Sequence, residues 1–116
     1  MDRATFERLV DAAVDDIPDD VFAQLDNVVF CVEDGEEDGE SLGEYIGVPR
    51  TERGTEISGI LPDKIVVYRL PTIAECEGNP NAIREEISRT VWHEIAHHLG
   101  WEDDAVEEAE RRRGWR

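Results

Sequence analysis

Three residues in the second half of the chain have the types and spacing of a metal-dependent hydrolase site. His93, Glu94 and His97 form the pattern H-E-x-x-H. At about 100° per residue, the two histidines lie one turn apart on one face of a helix, so their imidazoles can approach one zinc ion at about 2.0–2.1 Å. Glu94 lies beside that face and suits a base acting on the water held by the metal. The pattern predicts one Zn²⁺ per chain, with His93 and His97 as ligands and Glu94 as catalytic base.

A catalytic zinc usually has three protein ligands, so a helix that supplies two must be followed by a segment that returns to the metal. Gly100 comes just past the helical pattern, where it can adopt the left-handed conformation that ends a helix. We expect Asp103 to be the third ligand and water to occupy the fourth position. The alternatives for the third ligand are Glu102, Asp104, Glu107 and Glu108.

Several residues near the motif are better explained by packing than by chemistry. The competing interpretation of His93 and His97 themselves is that they are ordinary residues of a helix surface. His98 points along the apolar stripe of the helix, which favours a packed or hydrogen-bonded histidine over a ligand. The tryptophans are expected to pack, and they are Trp92, Trp101 and Trp115.

Four further residues are candidates for supporting roles. Glu86 and Thr90 lie on the ligand face before His93 and could orient the ligands, although a solvated face and helix packing explain them better. Tyr68 or Arg69 could stabilise an oxyanion if their strand borders the cleft. That strand and the glycine-rich segment before it are both candidates for the cleft wall.

The spacing of apolar residues predicts the elements that hold the motif. The motif helix carries a stripe with a four-residue step, and either Asn79 or Asn81 caps its start. The stripe consists of Ile83, Ile87, Val91, Ile95 and Leu99. The other predicted elements are a helix from about Thr5 to Pro18, a short turn at 19–25, strands at 27–32 and 64–70, a short strand at Tyr45, Ile46 and Val48, and a helix at 105–113. Together they predict an α+β fold, in which a small sheet packs against the N-terminal helix and the motif helix.

Length and charge restrict the possible functions. The 116 residues are most simply one domain spanning 1–116. The net charge of -17 repels phosphate groups, which disfavours nucleic acids and anionic membranes as partners.

No apolar run reaches the roughly 18 residues of a membrane span, and no signal peptide is evident, so a cytoplasmic location is expected. Cys31 and Cys76 form no C-x-x-C pair and are expected to be reduced, partly buried thiols.

The sequence resembles the small bacterial zincin-like metallopeptidases, which are minimal single-domain zinc proteases. The residues that carry the resemblance are the motif and its continuation, H-E-I-A-H-H-L-G-W-E-D, the segment 42–53, and the strand I-L-P-D-K-I-V-V-Y-R. The pattern H-E-x-x-H-x-x-G-x-x-D is also similar to that of snapalysin-type peptidases, and this likeness implies Asp103 as the third zinc ligand. No methionine follows the motif, so the Met-turn of metzincins is absent and a minimal zincin-like fold is implied.

Three functions remain open at this point. The first is a zinc peptidase that hydrolyses peptide bonds of a peptide or protein substrate with Glu94 as the base. The second is a non-catalytic metal-binding interaction module, because so short a chain has little left to build a substrate groove. The third is a zinc hydrolase of another class, such as an endoribonuclease, against which the net charge and Glu94 both argue.

Overall fold

The central feature of the computed structural model is a three-stranded sheet with the order β1-β3-β2. The structure describes residues 1–25, 27–47, 62–101 and 111. The strands are β1 (Val28–Glu33), β2 (Gly43–Ile46) and β3 (Asp63–Tyr68). β3 pairs in parallel with β1 and antiparallel with β2. The middle strand therefore has both of its edges hydrogen-bonded, and β2 is the terminal strand beside it in this sheet.

Four helices accompany the sheet in the described ranges: α1 (Arg3–Asp15), α2 (Asp19–Phe22), α3 (Arg69–Glu75) and α4 (Pro80–Leu99). α1 begins after Asp2, whose carboxylate accepts a hydrogen bond from the backbone N–H of Thr5 at 2.8 Å. Its apolar face packs against α4, and the two helices and the inner face of the sheet share one core. The predicted α+β fold is confirmed.

α4 has the boundaries and the buried face that its sequence predicts. Asn79 caps the start by accepting hydrogen bonds from the backbone N–H groups of Asn81 and Ala82, and Pro80 occupies the first turn. Gly100 ends the helix in the left-handed region at φ 73°. The predicted stripe is buried throughout. One side of α4 is thus fixed in the core, which determines how the residues on its other sides are presented.

The segment after β3 differs from the prediction. The strand was expected to reach Leu70 and stop at Pro71, but β3 ends at Tyr68 and Arg69 begins α3. Pro71 lies in the first turn of this helix. Backbone N–H groups of the first turn have no acceptor within the helix, so a proline there costs no hydrogen bond. Thr72 supports the start of α3 by donating its hydroxyl to the carbonyl of Tyr68 at 2.6 Å.

Smaller corrections concern the ends of two other elements. α1 begins at Arg3, before the expected start near Thr5, because Asp2 supplies the N-cap. β2 contains Tyr45 and Ile46 as predicted and begins at Gly43. The predicted member Val48 lies outside the described residues, as do residues 49–61 and all of the predicted helix at 105–113 except Arg111.

Two further expectations concern the cysteines and membranes. Cys31 and Cys76 are free and partly buried, and burial raises the pKa of the Cys76 thiol. Within the described ranges, the helices are all too short or too polar to cross a membrane.

Candidate metal centre

The predicted motif residues come together on α4. One possible ligand atom from each of His93, Glu94 and His97 lies within 4.8 Å of the other two, and among the described residues this is the group of three that could hold a metal ion. The centroids of the two imidazole rings are 4.6 Å apart, with an angle of 65° between the ring planes. The helix alone therefore gathers two imidazoles and a carboxylate at one point.

The three side chains differ sharply in burial. The His97 side chain is 48% exposed, whereas that of Glu94 is 9% exposed. Glu94 Oε1 lies 3.0 Å from Nδ1 of His97, so the other ring nitrogen, Nε2, is the atom through which His97 would bind a metal. The histidines are open to solvent, and the carboxylate lies beneath them toward the sheet.

An open cleft of about 560 Å³ contains this group. One wall consists of residues 40–45, which include most of β2, and the other consists of α4 residues from Glu86 to His97. These residues 40–45 belong to the glycine-rich segment 33–61, which is one of the two predicted candidates for the wall. The other candidate, β3, is wrong, because its residues do not line the cleft and both of its edges are already paired with other strands.

Gly43 allows β2 to lie directly on α4. A Cβ atom at this position would overlap the Thr90 Cγ2 methyl, and it would be 2.9 Å from the carbonyl oxygen of Val66 and 3.6 Å from Cγ of Glu94. The absence of a side chain therefore lets the strand backbone cover Glu94. Gly43 is not among the predicted site residues, although a glycine within a strand is a recognised sign of close backbone approach.

A second contact between β2 and α4 involves His98, which is completely buried. Its Nδ1 lies 2.8 Å from Oδ2 of Asp63, and the hydroxyl of Tyr45 donates to the same oxygen at 2.6 Å. The rings of Tyr45 and His98 meet edge to face at 5.7 Å. The prediction of a hydrogen-bonded histidine is confirmed, whereas its partners Tyr45 and Asp63 were not foreseen.

The remaining candidates have other roles. Tyr68 donates its hydroxyl to Glu44 at 2.8 Å, which raises the pKa of Tyr68, and Arg69 binds the carboxylate of Asp34 at 2.9 Å. Neither residue lines the cleft, so the condition for an oxyanion role at either is not met. Thr90 is buried under Gly43, and Glu86 is a half-buried residue of the cleft wall.

Two tryptophans behave as packing residues. Trp92 is buried, and its ring meets that of Trp101 edge to face at 5.7 Å. Trp115 lies outside the described residues, as do Asp103 and its alternatives Glu102, Asp104, Glu107 and Glu108. The third ligand therefore stays a prediction. The left-handed turn at Gly100 that was expected to precede it is present.

The donor set fits zinc. Two imidazoles one helical turn apart can bind one zinc ion together, and some catalytic zinc sites add a carboxylate as the third protein ligand. Both histidines face an open cleft, which suits a site that keeps one position for water or substrate.

The chain is similar to a solved structure and to a protein family. A solved structure of a conserved hypothetical protein from Thermus thermophilus is similar to the chain, with a TM-score of 0.57 and 27% sequence identity, over 85% of this chain and 94% of that chain. A search of curated proteins finds no match. The sequence model of a family described as zincin-like metallopeptidase matches residues 9–113. This match covers most of the chain and both walls of the cleft, and the chain therefore belongs to the zincin-like metallopeptidase family.

Proposed function

We propose that the protein is a zinc-dependent metallopeptidase. The observation that supports this most strongly is the position of a buried carboxylate, Glu94, beside two exposed histidines in one open cleft. His93 and His97 would hold a single Zn²⁺. Asp103 would be the third ligand, because Gly100 ends the helix in the left-handed conformation and this acid follows three residues later in the sequence. The family membership favours the same reaction class.

Each residue has a definite task in this proposal. Bound zinc would supply a Lewis acid that lowers the pKa of a coordinated water molecule to about 7. Glu94 accepts the proton as water attacks the peptide carbonyl carbon and returns it to the leaving amine as the C–N bond breaks. The contact of Glu94 with Nδ1 of His97 and the cover by β2 keep this carboxylate in one position.

The substrate in this proposal is a peptide or protein segment in extended conformation. β2 forms one wall of the cleft and is the terminal strand of the sheet formed by the described residues. A terminal strand offers backbone N–H and C=O groups to an added strand, and a peptide bound in this way would run above the histidines of α4. Backbone pairing would supply affinity whatever the side chains of the substrate.

The test is the Glu94→Gln variant. It keeps the shape of the side chain but removes the base, so we expect turnover to fall by about 10²- to 10⁴-fold. Zinc content, measured by mass spectrometry of the purified protein, should remain at one equivalent per chain. Turnover is followed with a diverse peptide library, with cleavage products identified by mass.

Glu85→Gln is the matched control. It makes the same chemical change on the same helix, at an exposed residue that does not line the cleft, so its activity should match that of the original protein. Full activity of Glu94→Gln would refute the mechanism. If the zinc-loaded original protein cleaves no peptide in the library, the alternative of a non-catalytic metal-binding module is favoured instead.

A further inference from the structure

A buried polar cluster lies directly behind the candidate metal centre, and the proposed reaction does not use it. It consists of Tyr45, Asp63 and His98. His98 is 0% exposed and Asp63 is 6% exposed. Oδ2 of Asp63 accepts the Tyr45 hydroxyl at 2.6 Å and lies 2.8 Å from His98 Nδ1, so a proton on Nδ1 is donated to the carboxylate. Burying such groups is costly unless they bond to each other, and an apolar set would fill the same space without that cost.

The three residues belong to three different elements. Tyr45 is on β2, Asp63 is the first residue of β3, and His98 follows His97 in the last turn of α4. Tyr45 also lines the cleft. The cluster therefore joins the cleft wall to the helix that carries the histidines, through the middle strand of the sheet.

Gly47 adds a further observation at this position. A Cβ on Gly47 would lie 2.5 Å from Oδ1 of Asp63. The chain after β2 therefore leaves room for the carboxylate by having no side chain there. The space at Gly47 and the contacts with Tyr45 and His98 all act on the position of the Asp63 carboxylate.

The alternation of β2 completes the geometry. Gly43 and Tyr45 are two residues apart and face the same side of the sheet, toward α4. Gly43 contacts the helix at Thr90 and Glu94, and Tyr45 contacts it one turn beyond Glu94, at His98. Two contacts along one strand fix both its distance from the helix and its angle to it.

We propose that Tyr45, Asp63 and His98 are positioning residues, which hold β2 at a fixed distance from the His93 and His97 face of α4 and so set the width of the cleft. The part that concerns substrate rests on the proposed peptidase function. The part that concerns the position of β2 does not, since it follows from contacts within the protein.

The test compares Tyr45→Phe with Thr72→Val in the full chain. Tyr45→Phe keeps the ring and removes one hydroxyl from the cluster. Thr72→Val removes a similarly short hydroxyl bond from a fully buried side chain in α3, outside the cleft. Asp63→Asn, which keeps the side-chain volume, is a second variant of the cluster. The measurements are amide hydrogen exchange of residues 42–47, zinc content, and KM and kcat for a peptide that the original protein cleaves.

If the cluster positions β2, Tyr45→Phe and Asp63→Asn accelerate exchange of residues 42–47, and Thr72→Val does not. KM rises by about tenfold in the cluster variants, the change expected when one hydrogen bond to a charged acceptor is lost from the support of the binding site, while zinc content is unchanged. Unchanged exchange in both cluster variants overturns the proposal, as does an equal acceleration in Thr72→Val. If the original protein cleaves no peptide, the proposed function fails, and the exchange measurement still decides whether the cluster positions β2.

Discussion

Replacement of Gly43 by alanine tests the close contact between β2 and α4. The added Cβ would overlap the Thr90 methyl and lie 2.9 Å from the carbonyl oxygen of Val66. The methyl belongs to a buried, β-branched side chain with little freedom to rotate, and the carbonyl is main chain of the middle strand. Neither neighbour can move away cheaply, so we expect β2 to be pushed outward from the helix.

The expected loss in the free energy of unfolding can be estimated from overpacking in other protein cores. Such an insertion destabilises a protein by about 1–3 kcal/mol. In a protein of about this size, 1 kcal/mol corresponds to roughly 3–6 °C, so Gly43→Ala should lower Tm by roughly 3–18 °C. Thermal unfolding followed by circular dichroism, supported by urea unfolding, measures the change.

The Thr90→Ser variant supplies the control. It removes the methyl that the new Cβ would strike, at the cost of about 1 kcal/mol for a lost buried methyl group. The double variant should therefore be more stable than the sum of the single changes predicts, by about 1 kcal/mol of coupling. The proposed contact of β2 with α4 is refuted if the free energy of unfolding of Gly43→Ala lies within about 0.5 kcal/mol of that of the original protein. It is also refuted if the effects of the two changes on this free energy are additive.

Two other changes have expected outcomes. Gly100→Ala places a side chain at φ 73°, so it should lower the free energy of unfolding by about 1 kcal/mol. Gly100→Asn should lower it less, because asparagine tolerates this conformation. Urea unfolding of the two variants measures the difference. The hydrogen bond from Arg69 holds the pKa of Asp34 below 3.8, so its stabilising contribution is present above that pH and is lost as the pH falls through the lowered pKa. Asp34→Asn should therefore be less stable than the original protein at neutral pH, and the difference should disappear once the pH falls below the lowered pKa of Asp34, as measured by unfolding from neutral to acid pH.

The sequence predicts α4 almost completely because its signals are local. Asn79, Pro80 and Gly100 define its ends, and the four-residue apolar step defines its buried face. Once that face is fixed, the exposure of His93 and His97 follows from about 100° per residue. The same geometry predicts which face of α4 carries Glu94. It does not predict that β2 covers this side chain.

The parts that could not be predicted depend on pairing between distant segments. Tyr45, Asp63 and His98 are separated by tens of residues, and nothing in the chain near any one of them indicates the other two. The strand order has the same origin. The apolar run of β3 fits a strand covered on both faces, but the run alone does not show that β2 pairs with its second edge and thereby takes the position of the cleft wall.

The wrong prediction at α3 has a different cause, because the proline at its start is compatible with two local structures. After an apolar strand, Pro71 predicts the end of that strand, since proline cannot donate a hydrogen bond to a sheet. The same missing N–H makes proline acceptable in the first turn of a helix, where no acceptor is lost. The distance from Tyr68 to Pro71 is too short for periodicity to decide between these structures.

The arrangement of β2 explains how a buried carboxylate and exposed histidines coexist on adjacent turns. At Gly43 the strand has no side chain toward the helix, so backbone comes down onto Glu94 and removes it from solvent. Two residues later Tyr45 restores a large side chain on the same face and bonds to Asp63. β2 thus contacts α4 through its backbone at Gly43 and through a side chain at Tyr45. It shields Glu94 from solvent, while His93 and His97 remain exposed. The proposed metal ligands can therefore be reached from the cleft, while the proposed base is held against the sheet.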